Sequence, residues 1–277
     1  MKRNVLHSPR LSELKRKRRN VFLIKVLFFV IGFSLIITGL AYLSRLEKLN
    51  ITGIEVVGNK IVDGETIGAT AESELSGSYL WLFPKTNFLF YPKNKIINNL
   101  YDKFKTLKDI SLSVKNQKIL QIAVFERIAL YTWCGIMPPE KSNSDQKCYF
   151  LDEAGFIFDE APYFSGEVYF KFYGKVFQNY TDIFSQLILL KENLENMGLK
   201  PIALYVAEDG NAKIFLSRGN DSHPEILFKS SDDVEKIAEN LETALTTDPL
   251  QAELKKKFSS LVYIDLRFGN KVYYKFK

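Results

Sequence analysis

The first strong pattern along the chain is an apolar run without a charge. The stretch VLFFVIGFSLIITGLAYL, from Val26 to Leu43, is eighteen residues long. At about 1.5 Å of rise per residue, a helix of this length spans roughly 27 Å, close to the hydrocarbon thickness of a bilayer. Lys25 before the run and Tyr42 at its end suit the two membrane interfaces. The pattern predicts a transmembrane helix over residues 26–44.

Residues 49–133 combine short alternating runs with two stretches of helical spacing. A strand is predicted in LNITGIEVVGN, and a short helix over residues 63–75. The stretch KNKIINNLYDKF has apolar residues at helical spacing, and residues 107–133 alternate around a turn at Asn116-Gln117. The order strand, helix, helix, strand, strand predicts one α+β unit.

Residues 134–277 are dominated by alternating apolar and polar positions. Hairpins are predicted around Gly155 and at Asp209-Gly210, and two amphipathic helices over residues 181–198 and 231–245. A mixed β-sheet with helices packed on it accounts for this order. The whole chain is therefore expected to be α+β, with a single N-terminal transmembrane helix in front of two folded units.

The chain ends in two strands that the alternation predicts clearly. Gly269-Asn270 is expected to form a two-residue turn with the glycine at positive φ. Before the turn, one strand face is expected to carry Val262, Ile264, Leu266 and Phe268. After it, one face carries Val272, Tyr274 and Phe276, and the other carries Lys271, Tyr273, Lys275 and Lys277.

If the last strand pairs back on the preceding one, its outer backbone groups have no partner. Such an edge is a template for a strand from another protein. The lysines would discourage promiscuous pairing and favour an acidic partner, and the aromatic residues would supply contact area. From alternation alone, a lysine-blunted edge strand without any partner is the simpler explanation.

Charge is distributed unevenly along the chain. Residues 1–25 contain nine Lys or Arg and one acid, a charge of +8, whereas the whole chain carries +6, which leaves −2 on the rest. A body close to neutral does not predict nucleic-acid binding. The basic tail predicts a cytoplasmic N-terminus and an extracytoplasmic body in the cell membrane. A cleaved signal peptide, with small residues at Gly39 and Ala41, is the alternative.

The residue types that enzymes use are sparse and scattered. His7 lies in the basic tail, His223 lies in a polar loop beside Asp221, and no cluster has metal-ligand spacing. Ser144 and Lys147 fit a Ser-x-x-Lys pattern, but the further elements of acyl-serine enzymes are missing. We therefore expect a protein that is not an enzyme and that needs no cofactor or metal.

Cys134 and Cys148 bracket a polar loop between two predicted strands. Outside the cytoplasm a disulfide between them could persist. Closing a loop of this size stabilises the fold by about 3 kcal/mol in the chain-entropy model. Two unpaired, partly buried thiols are the alternative.

Several stretches together resemble a known family. ITGIEVVGNKIVDGETI and VFERIALYTWCG resemble the start and end of a POTRA module, although the proline often found near Ala129 is absent. YFLDEAGFIF and YIDLRFGNKVYYK resemble the start and end of the β domain of the FtsQ/DivIB bacterial cell-division proteins. The resemblance covers roughly residues 20–277 and is most specific in the terminal DLRF stretch.

The resemblance implies a domain organisation. It has a basic cytoplasmic tail (1–25), a transmembrane helix (26–44), a POTRA domain of βααββ order (49–133) and an FtsQ-type β domain (134–277). It also implies a non-enzymatic divisome scaffold that links early and late division proteins and regulates septal peptidoglycan synthesis. FtsB-like and FtsL-like bitopic proteins are the implied partners, and an FtsB strand would add to the last strand of the β domain.

The same resemblance implies which residues contact the partner. They lie at the end of the penultimate strand and along the last one: Arg267, Phe268, Lys271, Val272, Tyr273, Tyr274 and Phe276. The surface of the KNKIINNLYDKF helix is a candidate contact with other division proteins. Two rival functions are a POTRA-containing envelope assembly or secretion factor, and a membrane-tethered hydrolase that uses Ser144 and Lys147. The stoichiometry of binding and the presence of an outer membrane stay open.

Overall fold

In the computed structural model, the described residues are 9–138, 146–175, 181–217 and 223–277. The first element is helix α1, Pro9–Ser44. The segment of α1 from Glu13 to Ser44 is long and apolar enough to span a membrane. The basic tail expected over residues 1–25 and the transmembrane helix expected over residues 26–44 share one continuous helix from residue 9 onward. Pro9 occupies the first helical position, where proline is tolerated, and the Arg, Lys, Leu and Glu residues that follow favour helix, with no Gly or Pro before Gly32.

The chain divides into two compact units, residues 1–126 and 127–277. The first continues after α1 with a 3₁₀ turn at Glu47–Leu49. Its further elements are β1 (Gly53–Val57), α2 (Gly64–Leu75), β2 (Ser78–Tyr79), β3 (Phe83–Pro84), α3 (Lys93–Lys103), β4 (Leu107–Lys115) and β5 (Ile119–Glu126). The expected order of strand, helix, helix, strand, strand is present, with the short β2–β3 hairpin as an unforeseen addition between the helices.

Strands β1, β5 and β4 form a small sheet in that order, in which β1 runs parallel to β5 and β4 antiparallel to it. The β4–β5 turn lies at Asn116-Gln117, as expected, and both residues have positive φ. Helices α2 and α3 bury Ile67 and Ile96 against the sheet. The side chain of Asp63 accepts the N–H of Thr66 at 2.9 Å and so caps the start of α2.

The second unit continues to the C-terminus. Its elements are β6 (Tyr131–Trp133), β7 (Cys148–Leu151), β8 (Ile157–Ala161), β9 (Phe170–Gly174), α4 (Thr181–Asn196), β10 (Pro201–Val206), β11 (Asn211–Leu216), β12 (Glu225–Lys229), α5 (Val234–Thr246), α6 (Leu250–Lys257), a 3₁₀ turn (Phe258–Ser260), β13 (Leu261–Phe268) and β14 (Lys271–Phe276). In the part of the chain that the structure describes, these nine strands form one large sheet in the order β14-β13-β12-β11-β10-β9-β6-β7-β8.

The large sheet is mixed, and helices cover one of its faces. The pairs β6–β9, β9–β10 and β12–β13 are parallel, and the others are antiparallel. Phe172 and Phe228 from the sheet and Phe184 from α4 are fully enclosed in the core between the sheet and the helices. Helix α5 adds Ile237 and Leu241 to this core.

The boundary between the units lies earlier than we expected. Residues 127–133 were assigned to the first domain, but β6 pairs with β7 and β9 of the large sheet, and Tyr131 and Trp133 pack against its core. The β4–β5 hairpin ends at Glu126, which accepts the backbone N–H groups of Lys60, Ile61 and Val62 at 2.8–3.1 Å. Burial opposes the charge of Glu126, but these N–H groups outweigh it, so its pKa is lowered.

The face of β13 also differs from the expectation. Ile264 and Leu266 lie in the core as predicted, but Phe268 is 56% exposed and the core takes Leu261 rather than Val262. The reason is that the register between β13 and β14 shifts twice, once near each end of β13. Each shift inserts an extra residue and turns the following side chains to the other face.

Candidate functional site

Strand β14 closes the large sheet at one of its two edges. It pairs with β13 through a hairpin in which Phe268 lies opposite Lys271. The turn is the predicted Gly269-Asn270, and Gly269 has a φ of +64°. Asn240 of α5 donates from its amide to the carbonyl of Gly269 at 3.2 Å, which ties the turn to the helix layer. Among the described residues, β13 is the only strand that pairs with β14.

The backbone groups of β14 alternate between the inside and the outside of the sheet. The N–H of Lys277 donates inward to the carbonyl of Ser260 at 2.8 Å. In an antiparallel strand the N–H and C=O of one residue point to the same side, and the side alternates along the chain. Lys271, Tyr273 and Lys275 therefore face β13, and Val272, Tyr274 and Phe276 point their N–H and C=O groups outward.

The side chains of β14 alternate as the sequence predicts. Val272, Tyr274 and Phe276 are half-buried against the core, so these three residues offer a partner mainly their outward backbone groups. On the opposite face, Tyr273 is 50% exposed and meets the exposed ring of Phe268 edge-to-face, with 5.2 Å between the ring centroids. This pair is an exposed aromatic contact surface beside the edge.

Arg267 lies in the second register shift and is held by its own strand. Its Nη2 and Nε atoms donate to the Asp265 carboxylate at 2.6 and 2.9 Å, and Nη1 donates to the Asn211 side chain at 3.3 Å. Burial opposes the charge of Asp265, and the hydrogen bonds and charge of Arg267 outweigh it, so the pKa of Asp265 is lowered. Arg267 thus fixes the bulge beside the turn, and its role as a partner contact stays a prediction.

The charge of the edge is positive. Lys271 and Lys275 are exposed on the same face as Tyr273, and Lys277 follows at the end of the chain. An extended segment with acidic side chains fits this surface better than a basic one, because the opposite charges attract it.

Sequence reasoning missed Asp265 and Asn211 as parts of this edge. The signal for Asp265 was present, since Asp265 and Arg267 are two residues apart in a strand and so share a face. Asn211 lies two strands away in β11, and only the strand order of the large sheet brings it to Arg267.

Of the other chemically suggestive residues, those that the structure describes lie apart from one another. Lys147 is exposed and pairs with Glu160 at 3.2 Å, a hydrogen bond and charge that raise its pKa, whereas a lysine base needs a lowered one. Ser144, His7 and Asp221 lie outside the described residues. The ring Nδ1 of His223 lies 3.2 Å from the carbonyl of Leu216. No group of three metal-ligand side chains is found in the described part of the chain.

Cys134 and Cys148 form a disulfide in the structure. It links the residue after β6 to the first residue of β7, at the opposite end of the large sheet from β14. Neither models of protein families nor curated proteins match this chain. The open edge of β14, its lysines and the exposed ring pair are therefore the features from which a function is inferred.

Proposed function

We propose that this protein is a membrane-anchored, non-enzymatic scaffold of the bacterial division machinery, of the FtsQ/DivIB type. In this proposal it binds FtsB-like and FtsL-like bitopic proteins outside the cell membrane, links early and late division proteins, and so regulates septal peptidoglycan synthesis. The observation that carries the proposal is the open backbone edge of β14, which a strand from a partner can extend.

The order of the elements supports this assignment. A long apolar helix is followed by a small sheet of order β1-β5-β4 with two helices, which fits the POTRA module that the sequence resembles. The large sheet then ends in the stretch that resembles the FtsQ/DivIB β domain. The Cys134–Cys148 disulfide supports an extracytoplasmic location, because disulfides persist in oxidising compartments. The basic residues before the apolar run support a cytoplasmic N-terminus.

Strand addition at β14 would use backbone and side chains for different purposes. The outward groups of Val272, Tyr274 and Phe276 would provide main-chain hydrogen bonds, which give affinity with little dependence on sequence. Phe268 and Tyr273 would provide an aromatic contact, and the lysines would favour acidic positions in the added strand. Because Lys271 and Lys275 lie on the same face of β14 as Tyr273, only one register of the added strand would place its acidic side chains beside both lysines.

The proposal is tested by co-purification of the full-length protein with its bitopic partners from cells. Deleting Lys271–Lys277 should abolish capture. The sharper variant is Val272→Pro, which removes one outward N–H and is tolerated at an edge whose other side keeps its hydrogen bonds. We expect it to weaken capture strongly while the second unit stays folded.

Val272→Thr is the matched control, because it keeps the N–H and the branched shape. It should capture the partners as the wild type does, so a loss specific to proline reports on the backbone rather than on the side chain. Capture by the Lys271–Lys277 deletion at the wild-type level would overturn strand addition at this edge.

A further inference from the structure

A short hairpin in the first unit exposes large apolar side chains. Strands β2 and β3 pair Ser78 with Pro84 and Tyr79 with Phe83. Between them Leu80 is 82% exposed and Trp81 is 88% exposed. Three further side chains, less exposed but still open to solvent, belong to the same loop region: Leu82, Leu89 and Phe90. We call these five residues the apolar patch.

The backbone at the tip of this hairpin is strained. The N–H of Leu82 donates to the carbonyl of Tyr79 at 2.9 Å, and the two residues between them, Leu80 and Trp81, have φ values of 49° and 59°. Positive φ at both central positions defines a type I′ turn, which favours Asn and Gly. A residue with a Cβ is strained at each such position. Leu80 and Trp81 are exposed, so the core of the unit gives no packing reason for them.

The apolar patch is fixed to the end of α1. Arg45, one residue beyond the helix, donates from Nη2 to the carbonyl of Trp81 at 2.9 Å. Asn87, which is 1% exposed, donates from Nδ2 to the carbonyl of Ser44 at 3.1 Å. Asn50 donates to the same carbonyl at 2.9 Å. These contacts satisfy a helix-end carbonyl and hold the loop at the level where the apolar run of α1 stops.

This level corresponds to the interface of a bilayer that α1 crosses. The polar zone on each side of a hydrocarbon core is about 5–8 Å thick, and Trp and Tyr are enriched there. Tyr42, in the last turn of α1, is 73% exposed. A hydrophobic surface held at the end of a membrane helix and rich in Trp, Leu and Phe suits the boundary between headgroups and acyl chains.

We propose that the apolar patch inserts into the interfacial layer of the bilayer that α1 spans. This rests on the membrane anchoring in the proposed function. The occupant of the patch is thus lipid, and the strained turn serves to present Leu80 and Trp81 to it. The first unit would then contact the membrane through this loop as well as through its helix.

The test uses the full-length chain in lipid nanodiscs and the emission of Trp81. The chain has two tryptophans, so Trp133→Phe leaves Trp81 as the only one. Discs are prepared with lipids brominated near the top of the acyl chains and, separately, with unbrominated lipids. We expect Trp81 to lose most of its emission in brominated lipid and to emit at shorter wavelength than an indole in water.

The positional control places the indole elsewhere in the first unit. Ile61 is 76% exposed and follows the end of β1 that is remote from α1. In a chain with Trp81→Phe, Trp133→Phe and Ile61→Trp, bromine should leave the emission nearly unchanged. Equal quenching of both indoles would overturn the proposal.

A second variant guards against misfolding. Leu80→Asn suits the left-handed backbone and keeps the turn, so the melting temperature in detergent should stay unchanged or rise. Because the variant removes an apolar side chain from the patch, it should also reduce the quenching of Trp81. A chain that fails to co-elute with the discs contradicts the anchor, and with it the proposed function. If the chain co-elutes with the discs but Trp81 is unquenched and emits like a water-exposed indole, only the insertion of the apolar patch into the bilayer is overturned. The patch would then be a surface for a protein partner.

Discussion

The two edges of the large sheet are built differently. Strand β14 has six residues, carries Lys271 and Lys275, and follows a tight turn. Strand β8 has five residues, and its register against β7 shifts at Phe150/Leu151. Its exposed side chains are acidic, Asp159 and Glu160. The extra residue of the β7–β8 shift lies on β8 itself and interrupts its row of outward backbone groups, whereas the extra residues of the two β13–β14 shifts lie on β13, so β14 keeps a continuous row.

The surroundings of the two edges differ in the same sense. Beside β8, the Cys134–Cys148 disulfide and the buried Arg127–Asp152 ion pair fix β7 and its neighbours. Beside β14, Asp265 and Arg267 are paired within one strand and shape the bulge next to the turn. At the β8 end, a disulfide and an ion pair link neighbouring strands. At the β14 end, the ion pair lies within one strand and fixes the bulge, while the outer backbone groups of β14 stay available for a partner.

The largest expected effect is at the β8 end. Asp152 is fully buried, accepts the N–H groups of Ala154 and Phe156, and meets Arg127, whose guanidinium lies 4.0 Å from the centroid of the Phe156 ring. Asp152→Asn leaves the charge of Arg127 facing a neutral amide, so the free energy of unfolding should fall by about 3–5 kcal/mol.

Unfolding of the second unit can be followed through Trp133 emission in a Trp81→Phe background. Asp159→Asn at the exposed edge is the matched control and should change the free energy of unfolding by less than about 0.5 kcal/mol. Equal stability of Asp152→Asn and wild type would mean that the ion pair does not fasten this end.

A smaller, pH-dependent effect is expected at the β14 end. Arg267 holds the pKa of Asp265 below its ordinary 3.8 against the effect of burial. The contribution of Asp265 is therefore complete above pH 3.8 and is lost as the pH falls through the lower, folded-state pKa. Asp265→Asn should lower the free energy of unfolding by roughly 1–2 kcal/mol at neutral pH. Below pH 3.8, the free energy of unfolding of this variant should fall less steeply with pH than that of the wild type.

The measurement is the free energy of unfolding of the second unit from pH 7 down to the acid limit of the protein. Asp159→Asn again serves as the control, since its acid dependence should follow the wild type. A wild-type acid slope in Asp265→Asn would show that the charge of Asp265 is not stabilised by Arg267.

The smallest effect on the fold, but a large one on binding, is expected from the edge lysines. The double change Lys271→Glu and Lys275→Glu alters two exposed side chains, so the second unit should keep its stability to within about 0.5 kcal/mol. Capture of an acidic partner strand should fall, because like charges would face each other, and should recover partly at high salt. Co-purification at two salt concentrations measures this.

Asp159→Lys is the counterpart at the other edge and should leave capture unchanged. Loss of capture with Asp159→Lys, and none with the lysine changes, would assign the partner to β8.

The parts of the fold that sequence predicts are those set by local pattern. The alternation in KVYYKF and the Gly269-Asn270 turn specify β14 and its hairpin without reference to the rest of the molecule. The alternating faces of Val272 and Tyr273 follow for the same reason.

Features set by long-range packing were not predicted. Tyr131–Trp133 alternate like a continuation of β5, and only pairing with β7 and β9 assigns them to the large sheet. The register shifts in β13 let Leu261 and Ile264 both enter the core, which a strict period of two cannot anticipate. The strained Leu80-Trp81 turn contradicts local preference outright, so no propensity would place a hairpin there.

The backbone carbonyl of Ser44 accepts hydrogen bonds from the side chains of Asn50 and Asn87. A membrane segment joined to its domain by a slack tether can spin without moving the domain. Here the last peptide of α1 is clamped, so rotation or tilt of the helix in the bilayer becomes rotation or tilt of the first unit. A neighbouring helix that packed against α1 within the membrane and changed its tilt would thus reorient the first unit outside the membrane.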